Sequence, residues 1–147
     1  KEALERFRRE HGFGRGIAAP QIGIPKRMIA LNLGQGTFVI ANPEIVGRSD
    51  EMFTMWDDCM SFPDLLVRVR RHVSIDLRYM DEDGAAKEWT DIGRAESELL
   101  QHEIDHLDGV MATDRAIEPE DILYKSEYRK HKKLYDERVD YVITPTI

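Results

Sequence analysis

One cysteine, Cys59, stands in a chain of 147 residues. A lone thiol forms no intrachain disulfide, so a disulfide-stapled secreted fold is excluded and a reducing compartment fits. A Cys₂His₂ structural zinc site is excluded for the same reason. Long apolar runs are also missing. None approaches the roughly 20 residues that a membrane-spanning helix needs. The start carries no signal-peptide pattern, and the chain shows no internal repeat, low-complexity tract or linker-like stretch. Basic residues are in deficit, 21 Lys and Arg against 28 Asp and Glu, for a formal charge of −7. That balance disfavours general nucleic-acid binding, which rests on a basic footprint. Two local basic stretches, 68–71 and 125–133, read as a solvated strand edge and a solvated helix face.

What is present fits one α+β domain spanning residues 1–147. The chain begins at Lys1 in what reads as mid-helix, so an upstream segment is expected before it. Residues 1–10 form an amphipathic helix with Leu4 and Phe7 on its apolar stripe. "HGFGRG" ends it, and "IAAPQIGIP" is apolar but too broken by Pro20, Gly23 and Pro25 for a regular element. Residues 27–33 and 37–46 read as a hairpin around "GQG". "EMFTMW" reads as a third strand that runs into "DDCMSFPD", which Pro63 closes. "LLVRVRR", "VSIDLRYMD" and "AAKEWTDI" continue the strand pattern, with "DEDG" as a turn. The expected middle of the molecule is therefore antiparallel sheet.

The period then changes. Ala95, Leu99, Leu100, Ile104 and Leu107 recur at helix spacing, and Gly109 suits the position just past the helix end. A further helix is expected over 118–137, with Pro119 in its first turn and Ile122, Leu123 and Tyr128 on its buried side. The tail from Arg138 reads as a short strand or a loose end.

The central helix carries "LLQHEIDHLDG". His102 and His106 lie four apart, hence on one face. That face also includes Glu98, one turn earlier. Two imidazoles so placed can hold a divalent ion, and the adjacent Glu103 then faces water on the ion as a general base. A catalytic site of this kind has three protein ligands and an open position. Cys59 is the first candidate for the third ligand because it sits at a strand end beside a polar cluster. Asp121, Glu127, His11, His72 and His131 are the alternatives. One thiolate with two imidazoles leaves a net charge near +1 on a divalent ion, which suits zinc or ferrous iron. Developing negative charge on oxygen needs donors. The Gln21 side chain and the backbone N–H of Met60 are candidates, and for Gln21 a loop-fixing hydrogen bond is an equal alternative.

Three stretches together resemble the peptide deformylases: "GRGIAAPQ" (14–21), "DDCMS" (57–61) and "QHEIDHLDG" (101–109). The resemblance covers nearly the whole chain and implies a fold of antiparallel strands around the helix bearing His102, Glu103 and His106. It implies Cys59, His102 and His106 as metal ligands, Glu103 as base and then acid, and Gln21 and Met60 as oxyanion donors. It implies that Gly14, Arg15, Gly16 and Ile17 pair with an extended substrate, with Glu98 and Leu99 at the pocket wall. The implied reaction is removal of the N-formyl group from the initiator methionine of nascent polypeptides. The implied cofactor is one divalent ion, ferrous iron first, with zinc, nickel or cobalt as substitutes. A bacterial-type cytoplasmic location is expected, with an organelle as the alternative and without membrane association, and the basic C-terminal helix is a candidate for weak ribosome contact.

Four residues depart from the family pattern. Asp57 stands where Glu is usual, Asp58 replaces Gly, Glu98 stands at an apolar or Arg position, and Arg15 stands at an apolar one. Arg15 is expected to compensate by pairing with Glu98 or Asp58, in which case methionine becomes a poorer fit. Two further readings stay open: a metalloamidase of the same fold acting on another N-acyl group, and a non-catalytic binding homologue.

Overall fold

The computed structural model describes residues 1–143. Helix α1 (Glu2–His11) buries Leu4 and ends at Gly12, whose φ of 76° is left-handed. The chain then forms strand β1 (Gly16–Ala18) and a single 3-10 turn (Ala19–Ile22). The irregular apolar stretch thus resolves into two very short elements. Strands β2 (Met28–Asn32) and β3 (Thr37–Arg48) make the expected hairpin. Strands β6 (Ile75–Met80) and β7 (Ala86–Ile92) make the second. These five strands form one antiparallel sheet in the order β1-β2-β3-β6-β7. A second sheet has the order β4-β5-β8, from β4 (Met52–Cys59), β5 (Phe62–His72) and β8 (Ile122–Tyr124).

Between its two loops helix α2 (Arg94–Leu107) packs on β1, β2 and β5. Its Leu99, Leu100 and Ile104 join Ile29, Leu31, Ile40, Ile75, Leu77 and Ile92 in one apolar core. A smaller core of Phe53, Met55, Val67, Val69 and Ala112 belongs to the second sheet. Gly109, at φ 73°, turns the chain away just past the helix, as its position implied. No helix of the described residues is long and apolar enough to cross a membrane.

Three sequence expectations are corrected. The strand expected over "EMFTMW" is longer, because β4 continues through Asp57 and Asp58 to Cys59, which does sit at a strand end. Alternation hid this, since Asp57 is as buried as its apolar neighbours and has ionic partners that make burial tolerable. Pro63 does not close that stretch. It is the second residue of β5, and at the start of a strand a missing N–H is tolerated. The single helix expected over 118–137 is broken into a 3-10 turn (Pro119–Asp121), β8, α3 (Lys125–Lys130) and α4 (Lys132–Asp136). Ile122–Tyr124 pair with Leu65–Val67 instead, and the fully buried Asp121 is held by Arg68 and Arg138. Tertiary pairing overrides helix propensity there. In the tail, Tyr141 makes an isolated parallel bridge to Met55. The last four residues of that tail lie outside the described residues.

Candidate metal centre and its pocket

The end of β4 and one face of α2 meet at three side chains. Cys59 Sγ lies 3.3 Å from His106 Nε2, and His106 Nε2 lies 3.0 Å from His102 Nε2. All three donor atoms fall within 4.8 Å of one another, and all three residues are buried. Ligands held about 2.0–2.3 Å from a tetrahedral ion are themselves separated by roughly 3.3–3.6 Å. The donor set therefore fits one divalent ion in chemistry and nearly in spacing. The other candidates for a third ligand lie elsewhere. His72 Nδ1 contacts Ser49 O at 2.7 Å, His11 stacks on Phe7, His131 pairs with Glu127, and Asp121 is engaged by arginines.

A buried ionic chain backs the cluster. His102 Nδ1 donates to Asp57 Oδ2 at 2.8 Å, which leaves Nε2 as the lone-pair nitrogen facing Cys59 and His106. Arg71 donates to the same Asp57 oxygen at 2.9 Å and to Asp105 at 2.6 Å. Arg115 then binds both oxygens of Asp105, at 2.8 and 2.7 Å. The shorter carboxylate at 57 thus reaches both the histidine and an arginine. Burial alone would raise the Asp57 pKa, but the charges of His102 and Arg71 overcome it and hold the carboxyl well below its usual range. Burial opposes a charged His102 as well, and Asp57 outweighs it, so this imidazole sits well above its ordinary value. A metal ion held at Nε2 would take the place of a proton there. Burial would likewise push the Cys59 thiol up, yet hydrogen bonds with His102 and His106 bring it down to about 5. Thiolate, the metal-binding form, is favoured.

Glu103 lies against the cluster with its Oε2 buried and unpartnered among the described residues. Burial raises its pKa, against the pull of His102 and His106. Gly16 is what lets it sit there, because a Cβ at Gly16 would come within 3.0 Å of Glu103 Oε1. Gly14 is constrained in the same way. Its φ is 129°, and a Cβ would meet the Phe7 ring at 3.0 Å. The carboxamide of Gln21 makes the loop-fixing hydrogen bond. Its oxygen accepts from Ala18 N–H at 2.8 Å, fixing the loop. That aims its NH₂ at Ser61 Oγ, 3.1 Å away, and Cys59 Sγ, 3.8 Å away.

A cavity of about 230 Å³ opens beside the cluster. Of the sequence candidates, Gly14, Arg15, Gly16, Gln21, Met60, Glu98, Leu99, His102 and Glu103 line it. Ile17 does not; it faces a second cleft with Phe7 and Ile22. Trp56, Leu66, Tyr128, Val142 and Ile143 also line the first cavity, and sequence reasoning missed them. Their signal is weak, since they come from β4, β5, the segment 125–130 and the tail, with no shared motif. Arg15 does pair with Glu98, Nη2 to Oε1 at 2.5 Å, and its Nη1 donates to Ala95 O at 2.8 Å. Asp58 instead meets Lys125 at 3.3 Å. Glu98 is 1% exposed, and that burial pushes its pKa up to about 7 although Arg15 pulls the other way.

A buried thiolate and two helix imidazoles, with an unpartnered carboxylate at an open cavity, define a metal-binding site of the hydrolytic kind. The family model of polypeptide deformylases matches residues 2–121, and the chain belongs to that family. The peptide deformylase of Syntrophomonas wolfei is 38% identical over 105 residues, 71% of this chain and 68% of that one. That of Thermotoga petrophila is 38% identical over 105 residues, 71% of this chain and 63% of its own length. The match thus spans about two thirds of these curated relatives. The crystal structure of the Thermotoga maritima peptide deformylase superposes with a TM-score of 0.71 at 33% identity, covering 80% of each chain.

Proposed function

We propose that residues 1–147 form one catalytic domain that hydrolyses the N-formyl group of formylated polypeptides, the initiator formyl-methionine of nascent chains included, and releases formate. The observation that carries this reading is Glu103: a buried carboxylate oxygen without a partner, beside three convergent ligands and an open cavity. A structural metal site has no use for such a group.

Cys59, His102 and His106 would hold one divalent ion, ferrous iron first, with zinc, nickel or cobalt as substitutes. When bound, the ion supplies Lewis-acid polarisation and a water that gives up its proton near neutral pH. Glu103 takes that proton at its free oxygen and returns it to the leaving amine nitrogen. Asp57 keeps the His102 ring oriented and its Nε2 aimed at the cluster. The Gln21 NH₂, oriented by the bond from Ala18 N–H, and the Met60 N–H receive the charge that develops on the formyl oxygen. Strand β1 is the edge of its sheet, so Gly14–Ile17 can take an extended peptide as an added strand. Exposed Arg129, Lys130, Lys132 and Lys133 offer a weak, salt-sensitive contact with ribosomes, in keeping with a cytoplasmic-type site of action.

The test is formate release from formyl-Met-Ala-Ser by anaerobically purified protein with its metal content measured. Release that a chelator abolishes and metal restores is expected. Metal-loaded protein that frees no formate sinks the reading. Acetylated peptides run beside it separate formyl hydrolysis from a broader N-acyl activity.

A further inference from the structure

The mechanism above leaves one buried pair without a task. Arg15 and Glu98 lie in the wall of the cavity that also holds His102 and Glu103. Trp56, Leu66, Leu99 and Ile143 give that wall its apolar stretch, and Gln21, Asp57 and Asp58 line the cavity elsewhere. A pair of opposite charges is an expensive lining for a pocket that takes only a hydrocarbon-like side chain. It makes no hydrogen bond to the ionic chain behind His102, and Glu98 lies a full helical turn from the ligand set.

The pair is also incompletely satisfied. Glu98 spends Oε1 on Arg15, and among the described residues no hydrogen bond reaches its Oε2. That oxygen is not sealed off either, since it is not among the fully buried unpartnered atoms. Arg15 spends one N–H on Ala95 O and one on Glu98, leaving guanidinium donors free. One acceptor and one donor therefore stand side by side, with apolar neighbours on the same wall.

We propose that this pocket also takes formylated peptides whose first side chain has a neutral head that both donates and accepts a hydrogen bond, of the glutamine type. The inference rests on the formyl-hydrolase reading and extends its substrate class. Glutamine and methionine side chains are close in length, so the apolar wall serves both stems. Their heads differ. A carboxamide N–H reaches Glu98 Oε2 while its oxygen accepts from Arg15. A thioether has no donor and is a weak acceptor, so it strips water from Glu98 and returns nothing. A lysine head is opposed by Arg15 and a glutamate head by Glu98, which leaves the neutral amide.

The experiment compares formate release from formyl-Gln-Ala-Ser, formyl-Met-Ala-Ser, formyl-Lys-Ala-Ser and formyl-Glu-Ala-Ser. It uses the metal-loaded native chain and the double variant Arg15→Ile/Glu98→Ile. In the native chain kcat/KM for the glutamine peptide should equal or exceed that for methionine, with lysine and glutamate behind. The double variant should lower the glutamine-to-methionine ratio by about tenfold or more. It removes both charges together, so no lone buried ion is left to unfold it. Methionine preferred over glutamine by about tenfold in the native chain overturns the proposal, and so does an unchanged ratio in the variant. If no peptide yields formate, the hydrolase reading fails, and fluorescence titration then decides this one. Trp56 lines the same cavity and reports occupancy without turnover. Tighter binding of the glutamine peptide than of the methionine peptide, lost in the variant, sustains the pocket chemistry. Equal binding, or tighter binding of methionine, overturns it.

Discussion

Helix α2 touches two sheets, and the two contacts are made of opposite materials. Toward the five-stranded sheet it presents Leu99, Leu100 and Ile104, which join a buried core of isoleucines and leucines. Toward the three-stranded sheet it presents Gln101, His102, Asp105 and His106. These meet His72 N–H, Asp57, Arg71 and Cys59 respectively. Both contacts are buried. The apolar one is cohesive and tolerant of shape, because dispersion and water release are non-directional. The polar one is directional, and each member depends on its partner for a tolerable burial. The first gives the helix a place to lie; the second fixes where its imidazoles point. A metal site needs that division, since ligand atoms must be held to fractions of an ångström while the scaffold only needs to be firm.

The contrast can be broken from either side. The greatest effect is expected at Glu103, whose Oε2 is buried without a partner among the described residues. Glu103→Gln should keep metal content unchanged and lower formate release by about 10²–10⁴-fold. Full turnover in a metal-replete variant would remove Glu103 from the chemistry.

Next comes the directional side itself. Arg71→Leu removes the cation shared by two buried carboxylates, Asp57 and Asp105, and should cost about 3–5 kcal/mol in denaturant titrations. The same network sets an acid limit. Burial raises the Asp57 and Asp105 pKa values, but for Asp57 the charges of His102 and Arg71, and for Asp105 the bonds to Arg115 and Arg71, win and depress them. A depressed carboxylate contributes stability above its unfolded pKa of about 3.9 and loses it as pH falls through the folded value. Thermal melts of metal-free protein should therefore fall off steeply below about pH 4. In Arg71→Leu that fall should be shallower.

The smallest effect belongs to the apolar side. Ile40 is fully buried in the larger core, yet Ile40→Val should cost only about 0.5–1.5 kcal/mol, with catalysis unchanged. A larger loss there, or a loss of metal, would mean that the two contacts are not as separate as their chemistry implies.

The same division decides what was legible beforehand. The apolar face of α2 announces itself by period, as do the two hairpins of the larger sheet. The pairing of His102 with His106 follows from helix geometry alone. The polar face announces only its ligands. Nothing local in "WDDC" marks it as strand, because the reason Asp57 can be buried in β4 lies at Arg71, 14 positions on, and at His102. Asp105 likewise finds Arg71 across 34 positions. The expected long helix after Pro119 failed for a related reason. Its apolar residues at 122 and 123 satisfy a strand edge as well as a helix face, and the choice is made by β5 and by the Arg68–Asp121–Arg138 cluster. Of the four departures from the family pattern, the pairing of Arg15 with Glu98 was anticipated on charge. Which of the two acids it would choose was not, because Asp58 was claimed by Lys125 from a segment read as distant helix.

Strand β1 is three residues long and lies at the rim of its sheet. An unpaired rim invites any passing strand, and long flat ones nucleate aggregates. Here the invitation is brief. Three residues offer too few backbone bonds to hold a foreign strand without help from elsewhere. Only a partner that also fills the adjoining cavity gains enough to stay. The rim is thus guarded twice over, by the strand's brevity and by Gln21, which already holds the Ala18 N–H.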